Sequence, residues 1–209
     1  RMDRMLSAPS FQEAAKLLTD CGYEDMSGCD AAGVDAALSR RRAEVFAEMA
    51  NMCPQGEVVD IFRAKYDYHN LKTLVKAKAM GVDAAHILSG CGRVEAGKLT
   101  ECTEGEGGLS SLPADMAEAY TDAADVLART GNPQLADFEL DRRYFALISA
   151  MAESTGSRFL MGYVQVLTDS ANLRAAVRTV RMGKDRDFML TALVPGGFAD
   201  RDILAAAAE

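Results

Sequence analysis

The sequence predicts an all-α fold, and two observations lead to this prediction. Alanine, leucine, methionine, lysine, arginine and glutamate dominate the composition, and runs of β-branched residues are scarce. Glycine and proline cluster between segments whose apolar residues recur at helical spacing. With 209 residues, of which 49% are hydrophobic, the chain is also long enough to bury a sizeable core without disulfides or metal ions.

The N-terminal helices are predicted from caps and breakers. Ser10 and Glu13 have the spacing of a capping box, in which the serine hydroxyl accepts a hydrogen bond from the third helical N–H. This spacing predicts a helix from Phe11 to Cys21, ended by Gly22. A second helix is predicted from Val34 to Met52, because a proline follows two residues later. The apolar residues expected on its packed face are Val34, Leu38, Val45, Phe46 and Met49.

A change in composition predicts the domain boundary. A short packed helix is predicted over residues 57–65, and after a further helix the segment at 100–112 is rich in Gly, Ser, Thr and Glu. We therefore expect a first helical domain at residues 1–99, a linker at 100–112 and a second helical domain at 113–209.

The second domain is predicted to begin at Pro113, which suits the first turn of a helix. That helix should end at Gly131, and a longer one should run from Leu135 to Glu153. A short apolar helix is then expected over residues 157–167. Its predicted inward residues are Phe159, Leu160, Tyr163 and Val164.

An internal repeat relates the two predicted domains. The segment YDYHNLKTLVKAKAMG, residues 66–81, matches TDSANLRAAVRTVRMG, residues 168–183, at a constant offset of 102 residues. The residues paired by this offset include Asp67 with Asp169, Asn70 with Asn172, Leu71 with Leu173, Val75 with Val177 and Gly81 with Gly183. Solenoid units are roughly 20 to 50 residues long, so each copy is interpreted as a small domain.

The repeated residues have a local structural interpretation. We expect Asp67 and Asp169 to cap the N-termini of two helices, with Asn70 and Asn172 explained by the same capping. Both helices should end at glycines, Gly81 and Gly183, in the left-handed conformation. The predicted core stripes are Leu71, Leu74, Val75 and Lys78 in the first copy, and Leu173, Ala176, Val177 and Val180 in the second.

A basic ridge lies beside each predicted core stripe. The first ridge contains Lys72 and Lys76, and the second contains Arg174, Arg178 and Arg181. Ridges repeated at equivalent positions could bind acidic partner surfaces. The alternative is that both are solvated helix faces with acidic neighbours from the same chain.

Several functional classes are disfavoured by composition. The formal net charge of −8 argues against general binding to nucleic acid or anionic lipid. No apolar run approaches the roughly 20 residues of a membrane-spanning helix, and the N-terminus lacks the apolar core of a signal peptide. Five cysteines without a C-x-x-C pair favour a reducing compartment, so we expect a cytoplasmic protein. Neither histidine has zinc-site spacing, and no metal or other cofactor is predicted.

An enzymatic function has little support. Cys53 with His69, or Cys91 with His86, could be proposed as nucleophile and base, although lone cysteines on helices are more often small buried hydrophobes. No phosphate-binding loop is present, and the GEGG run at residues 105–108 is acidic and has no following lysine. No residue is therefore predicted to be catalytic.

The repeated D-x-x-N-L-[KR] helix, followed by a glycine, a short helix and the Pro-Gly-Gly of ALVPGGFADRDIL, resembles the C-subunit family of V-type and archaeal-type ATPases. The eukaryotic relative of that family is the d subunit of the V-ATPase. Other segments that carry the resemblance are LSAPSFQEAAKLLTDCGY, FRAKYDYHNLKTLVKAK and GCGRVEAGKL.

The resemblance implies a funnel of three helical repeats that binds no nucleotide. It implies a non-catalytic component that joins the central shaft to the membrane rotor ring and couples proton or sodium transport to ATP turnover. Its partners would be the shaft subunits and the ring, at the cytoplasmic face of the membrane. Relative to that pattern, the opening helix is shortened and a third repeat is absent, so a fragment is expected. A generic helical adaptor with an unrelated protein partner is the alternative.

The missing phosphate-binding loop predicts that the chain neither hydrolyses nor binds ATP. Isothermal titration calorimetry with ATP should give no saturable heat. Saturable binding in the micromolar range would contradict this prediction.

Overall fold

The computed structural model describes residues 2–104 and 108–206, and within these ranges the chain contains α-helices, short 3₁₀ turns and no β-strand. The predicted all-α class is therefore confirmed. The α-helices are α1 (Met2–Leu6), α2 (Phe11–Thr19), α3 (Ala31–Met52), α4 (Gly56–Met80), α5 (Ala96–Glu104), α6 (Ala114–Thr130), α7 (Pro133–Ser154), α8 (Arg158–Arg181), α9 (Arg186–Ala192) and α10 (Arg201–Ala205). The 3₁₀ turns are at Ala85–Ile87 and Leu109–Ser111.

The chain forms two compact units, Arg1–Pro54 and Gln55–Glu209. The first unit has a small core around Ala15, Met26 and Ala37. As predicted, the Ser10 hydroxyl caps α2 by accepting a hydrogen bond from the Glu13 backbone N–H at 3.2 Å.

The predicted packed face of α3 is only partly correct. Val34 and Leu38 pack against the small core of the first unit, whereas Val45 and Met49 are more than one-third exposed. The apolar spacing therefore identified the helix but not the full extent of its buried face.

The core of the second unit is built where α4, α6 and α7 meet. Residues from all three helices form one buried cluster, with Leu99 and Cys102 of α5 added at its edge. A second cluster joins the N-terminal half of α4 to α7 and α8, through residues such as Ile61, Ile148 and Leu160. Helix α7 contributes to both clusters and so connects the two halves of the unit.

Helices α4 and α8 are each longer than predicted. The short helix expected over residues 57–65 and the helix expected to start at Asp67 form one continuous helix. In the same way, residues 157–167 and the segment after Asp169 belong to α8. The separation was wrong because no glycine or proline lies between Gly56 and Gly81 to stop α4, and the single glycine within α8 does not interrupt it.

The predicted linker lies inside the second compact unit. Helix α5 extends through residue 104, and its Leu99 is completely buried. Residues 105–107, which include most of the GEGG run, lie outside the described residues. The division into domains at 1–99 and 113–209 stays a prediction, whereas the contacts divide the chain between Pro54 and Gln55.

The helix boundaries follow the offset found in the sequence. Helix α7 begins at residue 133 and α3 at residue 31, and they end at residues 154 and 52, so both boundaries differ by 102. Helix α8 begins at 158 and α4 at 56, which is again a difference of 102. These boundaries support the repeat interpretation, and we expect residues 56–81 to superpose on residues 158–183.

The predicted core stripe is confirmed in α4 except at Lys78, which is exposed, and it is wrong in α8. Leu71, Leu74 and Val75 are buried in the cluster formed with α6 and α7. Three of the four residues of the α8 stripe are exposed: Leu173, Val177 and Val180. The side of α8 that is buried instead contains Leu160, Val164, Thr168, Asn172, Ala176 and Thr179. The two stripes differ because α6 and α7 cover the α4 stripe, while the described residues provide no such helix pair for α8.

This difference predicts unequal costs for truncating two equivalent leucines. Leu71→Ala should lower the free energy of unfolding by about 2–5 kcal/mol, since it leaves a cavity in a packed core. Leu173→Ala is the matched control and should cost about 0.5 kcal/mol or less, because the side chain is already exposed. Urea unfolding followed by circular dichroism would measure both, and equal losses would contradict the assignment.

Candidate interaction surface

Asp67 holds a loop instead of capping a helix. It lies in the middle of α4 and is completely buried. Its carboxylate accepts hydrogen bonds from Arg93 Nε at 2.6 Å and from the Val94 backbone N–H at 3.2 Å. The predicted N-cap role was wrong, because a residue several turns beyond the helix start has no free N–H groups of its own helix to accept from.

The loop approaches this carboxylate closely at Gly92. A Cβ atom at that position would overlap the Asp67 carboxylate, so only glycine fits without movement of the loop. By contrast, a Cβ atom at Gly90 would meet no atom within 4 Å. Gly92 therefore matters for the approach of the backbone to Asp67, whereas Gly90 faces open space.

Arg93 joins Asp67 to a second carboxylate. Its Nη2 donates to Asp115 at 2.8 Å, so the guanidinium links α4 to the start of α6. Burial raises the pKa of the Asp67 carboxyl, and the hydrogen bond and charge of Arg93 oppose that rise. The Asp67 side chain is fully buried, and the Arg93 side chain is largely buried. Arg93 thus supplies most of the compensation for a buried negative charge.

Asp169 makes the equivalent loop contacts in α8. Its carboxylate accepts from the backbone N–H groups of Phe198 and Ala199, both at 3.0 Å. A Cβ atom on Gly197 would overlap that carboxylate, as at Gly92. The sequence pattern of an aspartate followed by a glycine-containing loop therefore has the same geometric meaning in both places.

Asn70 and Asn172 each pair with one loop residue through two hydrogen bonds. The Asn70 amide accepts from the Ser89 N–H at 2.8 Å and donates to the Ser89 carbonyl at 2.9 Å. Asn172 does the same with Val194, at 2.9 and 2.8 Å. The two motifs thus bind the loop that follows each helix. Gly81 and Gly183 have φ of 65° and 63°, as predicted for left-handed glycines at helix ends.

The two basic ridges have different surroundings. Lys72 Nζ lies 2.6 Å from Asp141, and Lys76 Nζ lies 3.1 Å from Asp137, so both lysines of the first ridge pair with α7. The arginines of the second ridge, Arg174, Arg178 and Arg181, are exposed and have no ion pair within the part of the chain that the structure describes. The first ridge therefore has intrachain acidic partners, and the second remains available.

Metal-binding and membrane-spanning elements have no support in the structure. The described residues contain no group of three or more His, Cys, Asp and Glu side chains placed to hold a metal ion. Cys91 and Cys102 are buried, as expected for small apolar side chains. Within the same residues, no helix is both long enough and apolar enough to span a membrane.

A family model described as ATP synthase (C/AC39) subunit matches residues 1–209. The chain belongs to this family. The match confirms the resemblance drawn from the repeated motif. The family is a non-catalytic stalk component, in agreement with the expectation that the chain is not itself an enzyme.

Three curated relatives are named as C subunits of V-type or A-type ATPases or ATP synthases, in agreement with the family match. The C subunit of the V-type sodium ATPase of Enterococcus hirae is 22% identical over 97% of this chain and 62% of its own length. The C subunit of the V-type ATP synthase of Thermus thermophilus is 26% identical over 92% of this chain and 61% of its length. The C subunit of the A-type ATP synthase of Methanothermobacter thermautotrophicus is 26% identical over 81% of the chain and 47% of its length. The chain therefore spans less than two-thirds of these relatives.

The sequence interpretation missed two features of this surface. It did not identify Arg93 as the partner of Asp67, and it did not pair the first ridge with α7. The pairing of the first ridge with α7 could have been predicted from the sequence, because Lys72 and Lys76 are four residues apart, as are Asp137 and Asp141. For Arg93 the only local signal was its place beside Gly92.

The buried pair predicts a pH-dependent effect of removing Arg93. Arg93→Met should lower the free energy of unfolding at pH 7 by about 3–5 kcal/mol, since it leaves the Asp67 carboxylate buried and unpaired. The folded-state pKa of Asp67 is raised and should rise further in the variant, so protonation relieves the cost as pH falls. The loss relative to wild type should therefore be smaller at pH 5 than at pH 7.

The matched control is Arg143→Met. Arg143 pairs with Glu118, Asp122 and Glu139 on a more exposed surface. Its removal should cost about 1 kcal/mol or less. Urea unfolding at both pH values would compare the variants. Equal losses for the two, or a loss for Arg93→Met that does not change with pH, would refute the assigned role of Arg93.

Proposed function

We propose that this chain acts as part of the non-catalytic C subunit of a V/A-type rotary ATPase or ATP synthase. In this role it couples the central shaft to the membrane rotor ring, at the cytoplasmic face, for proton or sodium transport. The observation that carries the proposal is the family match over residues 1–209, together with relatives named as subunits of ATP synthases and of a sodium ATPase.

The second ridge is the candidate surface for an acidic protein neighbour in that complex. Arg174, Arg178 and Arg181 lie along the exposed side of the C-terminal half of α8. Lys72 and Lys76, which were predicted to bind partners as well, are engaged with Asp141 and Asp137 of the same chain. We therefore assign partner binding to the α8 ridge, and assign the α4 ridge to the internal contact with α7.

The test is association of the chain with purified shaft subunits and with the detergent-solubilised rotor ring, at low and at high ionic strength. Charge reversal with Arg174→Glu, Arg178→Glu and Arg181→Glu should weaken association by roughly tenfold or more at low salt, and by less at high salt. The helix content measured by circular dichroism should not change.

A control reverses three exposed charges outside the ridge: Lys98→Glu, Arg129→Glu and Arg201→Glu. This variant has the same net charge as the ridge variant and should associate nearly as well as wild type. If wild type binds neither the shaft subunits nor the ring, the functional proposal fails. If the ridge variant binds as well as the control, only the assignment of the ridge fails.

A further inference from the structure

A cleft of about 540 Å³ lies between the C-terminal half of α4 and α6, beside the turn that leads into α7. The side chains that the two helices contribute to it are mostly apolar. They include Val75, Ala79, Tyr120, Ala124 and Leu127. Sites for small ligands usually have volumes of about 300–1,000 Å³ and apolar linings of this kind. The cleft therefore has the size and the surface of a site for an apolar ligand.

Lys78 supplies a positive charge to this apolar lining. Lys76 also lines the cleft, but its ammonium group lies 3.1 Å from the carboxylate of Asp137. Lys78 Nζ instead donates to the Thr103 carbonyl at 2.8 Å and lies 5.9 Å from the centre of the Tyr120 ring. Among the described residues Lys78 forms no ion pair. Its charge is therefore not balanced by a carboxylate, although it stands beside an apolar surface.

The local charge of the cleft is opposite to that of the whole chain. The formal net charge of the chain is −8, yet the described residues that line the cleft include two lysines and neither aspartate nor glutamate. Lys78 also interrupts the apolar stripe of α4, whereas the equivalent residue of α8 is Val180. An apolar cleft with one uncompensated ammonium group suits a ligand with an apolar body and a single anionic end.

We propose that this cleft binds a long-chain carboxylate, with its alkyl chain against the apolar lining and its carboxylate paired with Lys78. An ammonium group has three donors, so Lys78 can bind the carboxylate and keep its hydrogen bond to Thr103. That contact is charge-assisted, and each methylene removed from water adds about fourfold to the affinity. The proposal goes beyond the rotary role and does not depend on it.

A helix of a partner protein fits the cleft less well than an alkyl chain. A helix with its side chains is about 10 Å wide and rises about 5.4 Å per turn, so one turn occupies roughly 420 Å³. The cleft has room for little more than a single turn. An anionic membrane surface is disfavoured because the chain itself carries a net charge of −8. A free carboxylate with a single thin chain meets neither difficulty.

The affinity is measured by isothermal titration calorimetry of the whole chain with dodecanoate, decanoate and octanoate. Each ligand is kept well below the concentration at which it forms micelles. Dodecanoate should bind at one site with a dissociation constant of about 10–100 µM. Each loss of two methylenes should weaken binding by about tenfold or more.

Two pairs of variants make the measurement specific. Ala124→Phe adds bulk to the lining and should remove dodecanoate binding, whereas Thr121→Phe lies outside the lining on the same helix and should not. Lys78→Met should weaken binding about tenfold, and Lys78→Arg should keep it within about threefold, because the positive charge remains. Lys98→Met has the same net charge as Lys78→Met and should bind like wild type. Circular dichroism checks that each variant is folded.

Hydrogen exchange measured by mass spectrometry locates the site. Saturating dodecanoate should slow exchange by about threefold or more over residues 75–80 and 120–131, because a bound ligand suppresses local opening. Exchange over residues 173–181 of α8 should not change.

Several outcomes would overturn the proposal. These are the absence of saturable dodecanoate binding, equal binding by Ala124→Phe and Thr121→Phe, equal binding by Lys78→Met and Lys98→Met, and protection confined to other segments. Sedimentation of the chain with phosphatidylglycerol vesicles, without dodecanoate binding, would make a membrane lipid the occupant and would also overturn it. None of these measurements uses a shaft subunit or a rotor ring, so their failure leaves the proposed function untouched.

Discussion

A buried carboxylate in the middle of a long helix organises the loop that follows that helix. Asp67 is removed from water, and an ionised carboxylate in that position requires donors on every accessible side. Arg93 and the Val94 N–H provide them, which draws residues 89–94 back along α4. Because α5 starts immediately afterwards, this contact also brings Leu99 into the core. Asp169 imposes the same path on the loop before α10.

This dependence explains which parts of the structure were predictable from the sequence. Helix class, the left-handed glycines and the caps at Ser10 and Gly81 follow from interactions within a few residues, and those predictions were correct. Asp67 was misassigned because an aspartate followed by a helical pattern has the same local signature at a helix start and in a helix interior. Its carboxylate instead accepts hydrogen bonds from Arg93 and Val94, which lie 26 and 27 residues further along the chain. The absence of any breaker from residue 57 to residue 80 was the better signal.

The basic ridges also show that local sequence patterns do not reveal contacts between residues that are distant in sequence. The contacts from Lys72 to Asp141 and from Lys76 to Asp137 join residues 69 and 61 positions apart, and their reversed order shows that α4 and α7 run antiparallel. Two equivalent ridges in the sequence therefore differ in the structure, because among the described residues a helix pair packs beside the α4 ridge and none packs beside the α8 ridge. In α4, the basic residues at this position of the repeat form ion pairs with the carboxylates of the helix packed beside them. The periodicity of the sequence alone does not reveal these pairs.

The packing of α4 against α6 and α7 has a practical consequence for cutting the chain. The composition suggests the segment at 100–112 as the natural place for cleavage, yet a piece ending at residue 99 would keep α4 and lose both helices that cover Leu71, Leu74 and Val75. The complementary piece, from residue 100 onward, would lose α4, which packs against α6 and α7. Both products would expose extended apolar surface and tend to aggregate. The boundary between the two compact units lies instead between Pro54 and Gln55, and a cut there leaves the cluster of α4, α6 and α7 within one piece.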